Sequence, residues 1–151
     1  MIDRVTKKNM PLNIRDADES DINFIFNSWL RGFRQGSLCK HVDNTVYFSE
    51  QHKLVEKLLK RCKVRIATSP DNPADILGYM VYEHIDGIFT LHFCYTKHTF
   101  RALGVLRQLL KDSGHDTNTA GIHSHNTEAF SRIAIRYNLI YHPYVLINYR
   151  S

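Results

Sequence analysis

The stretch LHFCYTKHTFRALGVLRQLL, residues 91–110, decides how this chain folds. Its first six residues are mostly apolar and aromatic, which predicts a strand. Its end sets Val105, Leu106, Leu109 and Leu110 at helical spacing, which predicts an amphipathic helix. The loop between them carries Gly104, where the missing Cβ lets backbone approach a ligand closely. A strand–loop–helix of this kind aims backbone N–H groups and the positive end of the helix dipole at one point. Such a point is an anion site suited to phosphate.

The pattern extends in both directions. Upstream, two runs at 76–84 and 88–96 flank Asp86-Gly87, a strong hairpin signal. Before them come a strand at 64–68 and a turn, SPDNPAD, at 69–75. A helix begins near Ser49 with Leu54, Val55, Leu58, Leu59 and Cys62 on its inner face. Another, capped by Ser20, carries Ile22, Ile25, Phe26, Trp29, Leu30 and Phe33 at helical spacing, after a first strand at 10–16. Downstream, Gly114 ends the helix that follows Gly104. A short strand at 120–124, a last helix from Asn126 or Thr127, and a strand at 144–149 beyond Pro143 complete the chain. Helices interleaved with a mixed sheet predict one α/β three-layer domain over residues 1–151.

Composition sets limits. The 151 residues, 43% hydrophobic and 23% charged, describe an ordinary globular chain with enough mass for a core. Cys39, Cys62 and Cys94 are scattered without metal-site spacing and read as reduced thiols. No apolar run approaches the roughly 20 residues needed to span a bilayer, and the first residues lack the apolar core of a signal peptide. The expected site of action is the cytoplasm. The net charge of +5 gathers between Lys53 and Arg65, and with no aromatic residues among them it reads as a solvated face. Nucleic acid is not the expected partner.

The order of elements resembles the GNAT superfamily of N-acetyltransferases over nearly the whole chain. NIRDADESDINFI resembles its first strand and helix, ILGYMVYEHIDGIFTLHFCYT its central hairpin, and FRALGVLRQLL its pyrophosphate loop. Asn126-Thr127-Glu128-Ala129 resembles the start of its last helix, and the whole is similar in flavour to small acetyltransferase-like proteins of bacteriophages, which implies a host cytoplasm or a virion. The resemblance implies acetyl-CoA as co-substrate and an amine as acceptor. Phe93, Cys94, Tyr95 and Thr96 would line the pantetheine arm. Arg101, Ala102, Leu103, Gly104, Val105 and Leu106 would hold the pyrophosphate, with Asn126 also on the cofactor.

Three departures matter. Leu106 stands where the family has Gly or Ala, and its side chain either crowds the phosphate or points into the core. Residues 88–96 hold no carboxylate, and Ile133 stands where a catalytic Tyr is often found. His92 shares the parity of Cys94 and Thr96 and is the first substitute, with Glu83 and Tyr137 behind it. His123 and His125 flank Ser124 on the facing strand, but no third ligand has metal-site spacing, so no metal is expected. Cys94 reads as a buried thiol. The family usually finishes with two strands and only about one fits after Pro143; the shortened end either leaves a sheet edge open to a partner chain or a second copy, or is harmless trimming. The expected activity is acetyl transfer to a primary amine by direct attack. The alternative is a catalytically inactive domain of the same fold that binds another chain.

Overall fold

The computed structural model describes residues 10–35, 44–97, 104–125 and 128–149. Six strands lie side by side in chain order: β1 (Asn13–Asp16), β2 (Lys63–Ser69), β3 (Asn72–Ile85), β4 (Ile88–Thr96), β5 (Gly121–His123) and β6 (Leu139–Tyr141). β1 to β4 pair antiparallel, while β4 with β5 and β5 with β6 pair parallel. Helices α1 (Ile22–Gln35) and α2 (Asn44–Arg61) stand between β1 and β2, α3 (Val105–Ser113) between β4 and β5, and α4 (Glu128–Tyr137) between β5 and β6. This is the predicted α/β architecture, a mixed sheet between helical layers.

α1 and α2 cover one face of the sheet. The apolar stripe of α1 buries Ile25 and Trp29, and α2 adds Val55 and Leu58. Tyr79 on β3 meets Ser28 on α1 through hydroxyl groups 2.7 Å apart, and Trp29 stacks on Phe93 of β4 with ring centroids 5.0 Å apart. Aromatic stacking of this kind adds about 0.5–1.5 kcal/mol to the area buried.

α3 covers the opposite face with Val105, Leu109 and Leu110. Gly78 on β3 permits its close approach. A Cβ there would lie 2.6 Å from the Tyr95 carbonyl oxygen and 2.9 Å from Val105 Cγ1. Arg65 on β2 fixes the same helix by donating to both carboxylate oxygens of Asp112, at 2.9 and 3.2 Å, and also reaches Asp16. The paired carboxylates hold its guanidinium above the usual arginine range. One cation of the basic stretch is thus spent on internal pairing.

Several local expectations change. Asp18, not Ser20, caps the entry to α1: its side chain accepts from Ser20 N–H while Asp21 accepts from Asp18 N–H, a capping box around a short 3-10 turn. α2 starts at Asn44, five residues before Ser49. The turn at 69–75 is tighter than its Pro and Asp content suggests, because β3 already pairs with β2 at Ser69 and Asn72. The tail differs most. Residues 144–149 belong to a 3-10 helix opened by Pro143, and the last strand is β6, ahead of that proline. Proline suits a first helical position, where its missing N–H costs nothing.

Among the described residues, no helix is long and apolar enough to cross a membrane.

Candidate active site

The site lies where the sheet opens. β4 and β5 pair only at Thr90 with Ile122 and Leu91 with His123, and Ser124 N–H closes the ladder on the Leu91 carbonyl at 3.1 Å. Beyond that bond β5 stops, while β4 runs on to Thr96 paired with β3 alone. Among the described residues, no strand of the sheet pairs with residues 93–96 on the β5 side. α3 begins beside this arm, as the contact of Val105 with Gly78 and the neighbouring Tyr95–Thr96 backbone shows. Gly104 leads the helix at φ 80°, in the left-handed region that favours glycine, and among the described residues no side chain caps the helix start. Its first turn carries no acidic residue, so the positive end of its dipole is not neutralised there.

A bulge sets the chemistry of this region. Val81 pairs with Phe93 and Tyr82 with Leu91, so His92 is the extra residue on β4. The extra residue breaks the alternation that parity assumes. His92 turns to the α1–α2 face along with Phe93, and away from the side of Cys94. There it is fully buried, with Nε2 2.7 Å from Glu83 Oε2 and Nδ1 2.6 Å from Ser124 Oγ. Ser124 in turn meets His125 Nδ1 at 3.0 Å. At the outer end, Glu83 receives the Cys62 thiol at 3.4 Å and lies 3.7 Å from the Arg61 guanidinium. A carboxylate only accepts, so Nε2 carries a proton towards Glu83. With that tautomer, the Nδ1 lone pair faces the Ser124 hydroxyl.

The chain of contacts joins two of the residues expected to act, His92 and Glu83, and leaves the third apart. Tyr137 packs on the core at the end of α4, its carbonyl 2.8 Å from His115 Nε2, and none of the described hydrogen bonds joins it to His92 or Glu83. His123 and His125 do not share a task. His123 Nδ1 meets the His125 carbonyl at 2.9 Å and its ring packs on Tyr141, while the His125 ring stands edge-on to Trp29. Burial lowers both histidines below the usual range, His125 to about 3, so both stay neutral near pH 7. Burial also pushes the Cys94 thiol up to about 12, which removes it as a nucleophile.

Of the cofactor residues, Phe93, Cys94, Tyr95 and Thr96 form the part of β4 that runs on past its pairing with β5, and Gly104 and Val105 begin α3. Leu106 is half-buried and packs against the core. Arg101, Ala102, Leu103 and Asn126 lie outside the described residues. The residues that sequence reading passed over are Cys62, Ser124 and Trp29. Only Ser124 carried a signal, its place between two histidines.

No protein-family model and no curated protein matches the sequence. Solved structures do match. A candidate acetyl transferase from Pyrococcus furiosus superposes with a TM-score of 0.56 at 15% identity, over 87% of this chain and 82% of that one. A possible acetyltransferase from Clostridium difficile 630 gives 0.55 at 18% identity, over 83% of this chain and 86% of that one. A histone acetyltransferase-related protein from Corynebacterium glutamicum gives 0.55 at 12% identity, over 84% and 83%. With its mixed six-stranded sheet between helices, the chain has the fold of these acetyltransferases.

Proposed function

We propose that the protein is an acetyl-CoA-dependent N-acetyltransferase that moves the acetyl group to a primary amine by direct attack. The observation that carries this reading is the end of the β4–β5 pairing at Leu91 and His123, with the Gly104-led start of α3 beside the part of β4 that runs on. A pantetheine chain has amide groups that suit the edge of β4 beyond its pairing with β5, as an added strand would. The pyrophosphate then falls at the start of α3, to the N–H groups of Val105 and Leu106, and the family resemblance adds Arg101, Ala102, Leu103 and Asn126. Leu106 supports the reading, since its side chain packs on the core.

Acid–base chemistry falls to the His92 chain in place of the absent strand carboxylate. The amine nitrogen attacks the thioester carbonyl carbon, the C–S bond breaks, and the coenzyme leaves as thiolate. The proton lost by the amine passes to Ser124 Oγ as the serine proton moves to His92 Nδ1. The resulting imidazolium is held by Glu83 at 2.7 Å. Calorimetry with acetyl-CoA tests the reading: one site is expected, and no binding at millimolar cofactor overturns it.

One observation favours a second reading, a partner-binding domain. The edge strand β6 and the 3-10 helix after it expose Ile140 (59%) and Tyr144 (71%). A mass above one chain by light scattering, reversed by Ile140→Glu, would support it.

A further inference from the structure

Three side chains from three elements converge at the outer end of the His92 chain. Cys62 follows α2, Glu83 is on β3, and His92 is the bulged residue of β4. One ligand atom from each of Cys62, Glu83 and His92 lies within 4.8 Å of the other two. We propose that these residues form a binding site for a divalent zinc-like cation, with the fourth position open to water.

The donor set selects the metal. A thiolate, an imidazole and a carboxylate together suit Zn²⁺, whereas Mg²⁺ and Ca²⁺ take oxygen alone. The spacing is close to what the ion needs. Zinc bond lengths put tetrahedral ligand atoms about 3.4–3.6 Å from one another, against 3.4 Å for Sγ to Oε2 and 2.7 Å for Oε2 to Nε2. Binding therefore asks the glutamate and histidine to part by less than about 1 Å and the Cys62–His92 pair, within 4.8 Å, to settle at the same spacing.

His92 is also held as a ligand histidine is held. Its other nitrogen meets Ser124 Oγ at 2.6 Å, which fixes the ring and can take the proton that Nε2 gives up. The metal displaces the thiol proton to solvent and shifts the imidazole proton to Nδ1. Two negative ligands and one neutral one then match its charge. Arg61, 3.7 Å from Glu83 Oε1 and 57% exposed, has room to turn away as the cation enters.

The site stands on its own geometry and not on the acetyl-transfer reading. It also excludes that chemistry while loaded, because the metal occupies the nitrogen that pairs with Glu83.

Titration of the intact protein with Co²⁺ alone tests the proposal. The expected result is saturation at one equivalent, with near-ultraviolet thiolate-to-metal absorption and the visible bands of a tetrahedral ion. Cys62→Ser should remove the thiolate absorption, and Glu83→Gln should weaken binding about tenfold or more. Cys94→Ser should bind as wild type does. Circular dichroism shows whether each variant is folded, and if Cys62→Ser is not, the Glu83→Gln affinity decides. Absence of thiolate absorption in the wild type, its survival in Cys62→Ser, or an unchanged affinity in Glu83→Gln overturns the site.

Discussion

His92 Nε2 and Glu83 Oε2 lie 2.7 Å apart although a strand reversal and nine residues separate them. The hairpin turn at Asp86 and Gly87, both at positive φ, brings their strands together, and the bulge at His92 turns the imidazole to the glutamate. In the proposed reaction the pair takes the place of a carboxylate on β4 with one delivered from β3. If it takes the amine proton, Glu83→Gln should lower turnover about 10²–10³-fold while acetyl-CoA affinity changes less than about twofold. Steady-state thiol release with an accepted amine, beside calorimetry, separates the two quantities. Equal turnover in wild type and variant would remove Glu83 from the reaction.

Gly104 and Gly114 bound the same helix at nearly the same backbone angles, φ 80° and φ 83°. An alanine at either one meets the same left-handed strain, about 1 kcal/mol. Only Gly104 stands at the proposed phosphate site. Gly104→Ala and Gly114→Ala should therefore lose similar stability by urea unfolding, whereas only Gly104→Ala should weaken acetyl-CoA binding, by about tenfold or more. A similar loss of affinity in both variants would trace the effect to helix stability instead.

Local signals made much of this fold readable. Asp86-Gly87 forms the expected hairpin turn, and the α1 stripe buries Ile25 and Trp29. Gly114 ends α3 with its N–H on the Lys111 carbonyl. Each depends on residues close in sequence, where propensity and periodicity carry information. His92 shows where such reading stops. Period-two parity assumes an unbroken ladder, and one bulged residue reverses the face of everything on one side of it. The tail shows the same limit. Residues 144–149 have strand-forming side chains, yet their conformation follows tertiary context, because strand preference is largely a preference for a partner. Cys62, Glu83 and His92 sit 21 and 9 residues apart, a spacing that matches no local motif. Their meeting is a product of the sheet register and could be seen only once β3 and β4 were paired.

Trp29 is the single tryptophan of the chain, so its emission reports one place. The indole is buried, stacked on Phe93 with the rings 7° from parallel, and edge-on to His125 at 5.7 Å. Phe93 belongs to the strand arm assigned to pantetheine. Acetyl-CoA should change Trp29 emission saturably, with the same Kd that calorimetry gives. Unchanged emission under saturating cofactor would mean that the coenzyme lies elsewhere.

His125 ties stability to pH. Burial lowers it from the ordinary 6.5 to about 3. In the folded protein it stays neutral through mild acid, whereas in the unfolded chain it takes up a proton below about 6.5. The unfolded state therefore binds more protons across that window, and folding weakens as pH falls from about 6.5 towards 3, at up to about 1.4 kcal/mol per pH unit for this one group. His123, lowered in the same direction by burial, steepens the same loss. Urea unfolding at pH 7.0, 6.0 and 5.0, values set about the ordinary histidine range, should show a progressive fall in wild type. In His125→Asn the side chain no longer titrates, so the fall should be shallower even if that variant starts from lower stability. Parallel slopes in the two proteins would mean that the acid sensitivity of this fold arises from other groups.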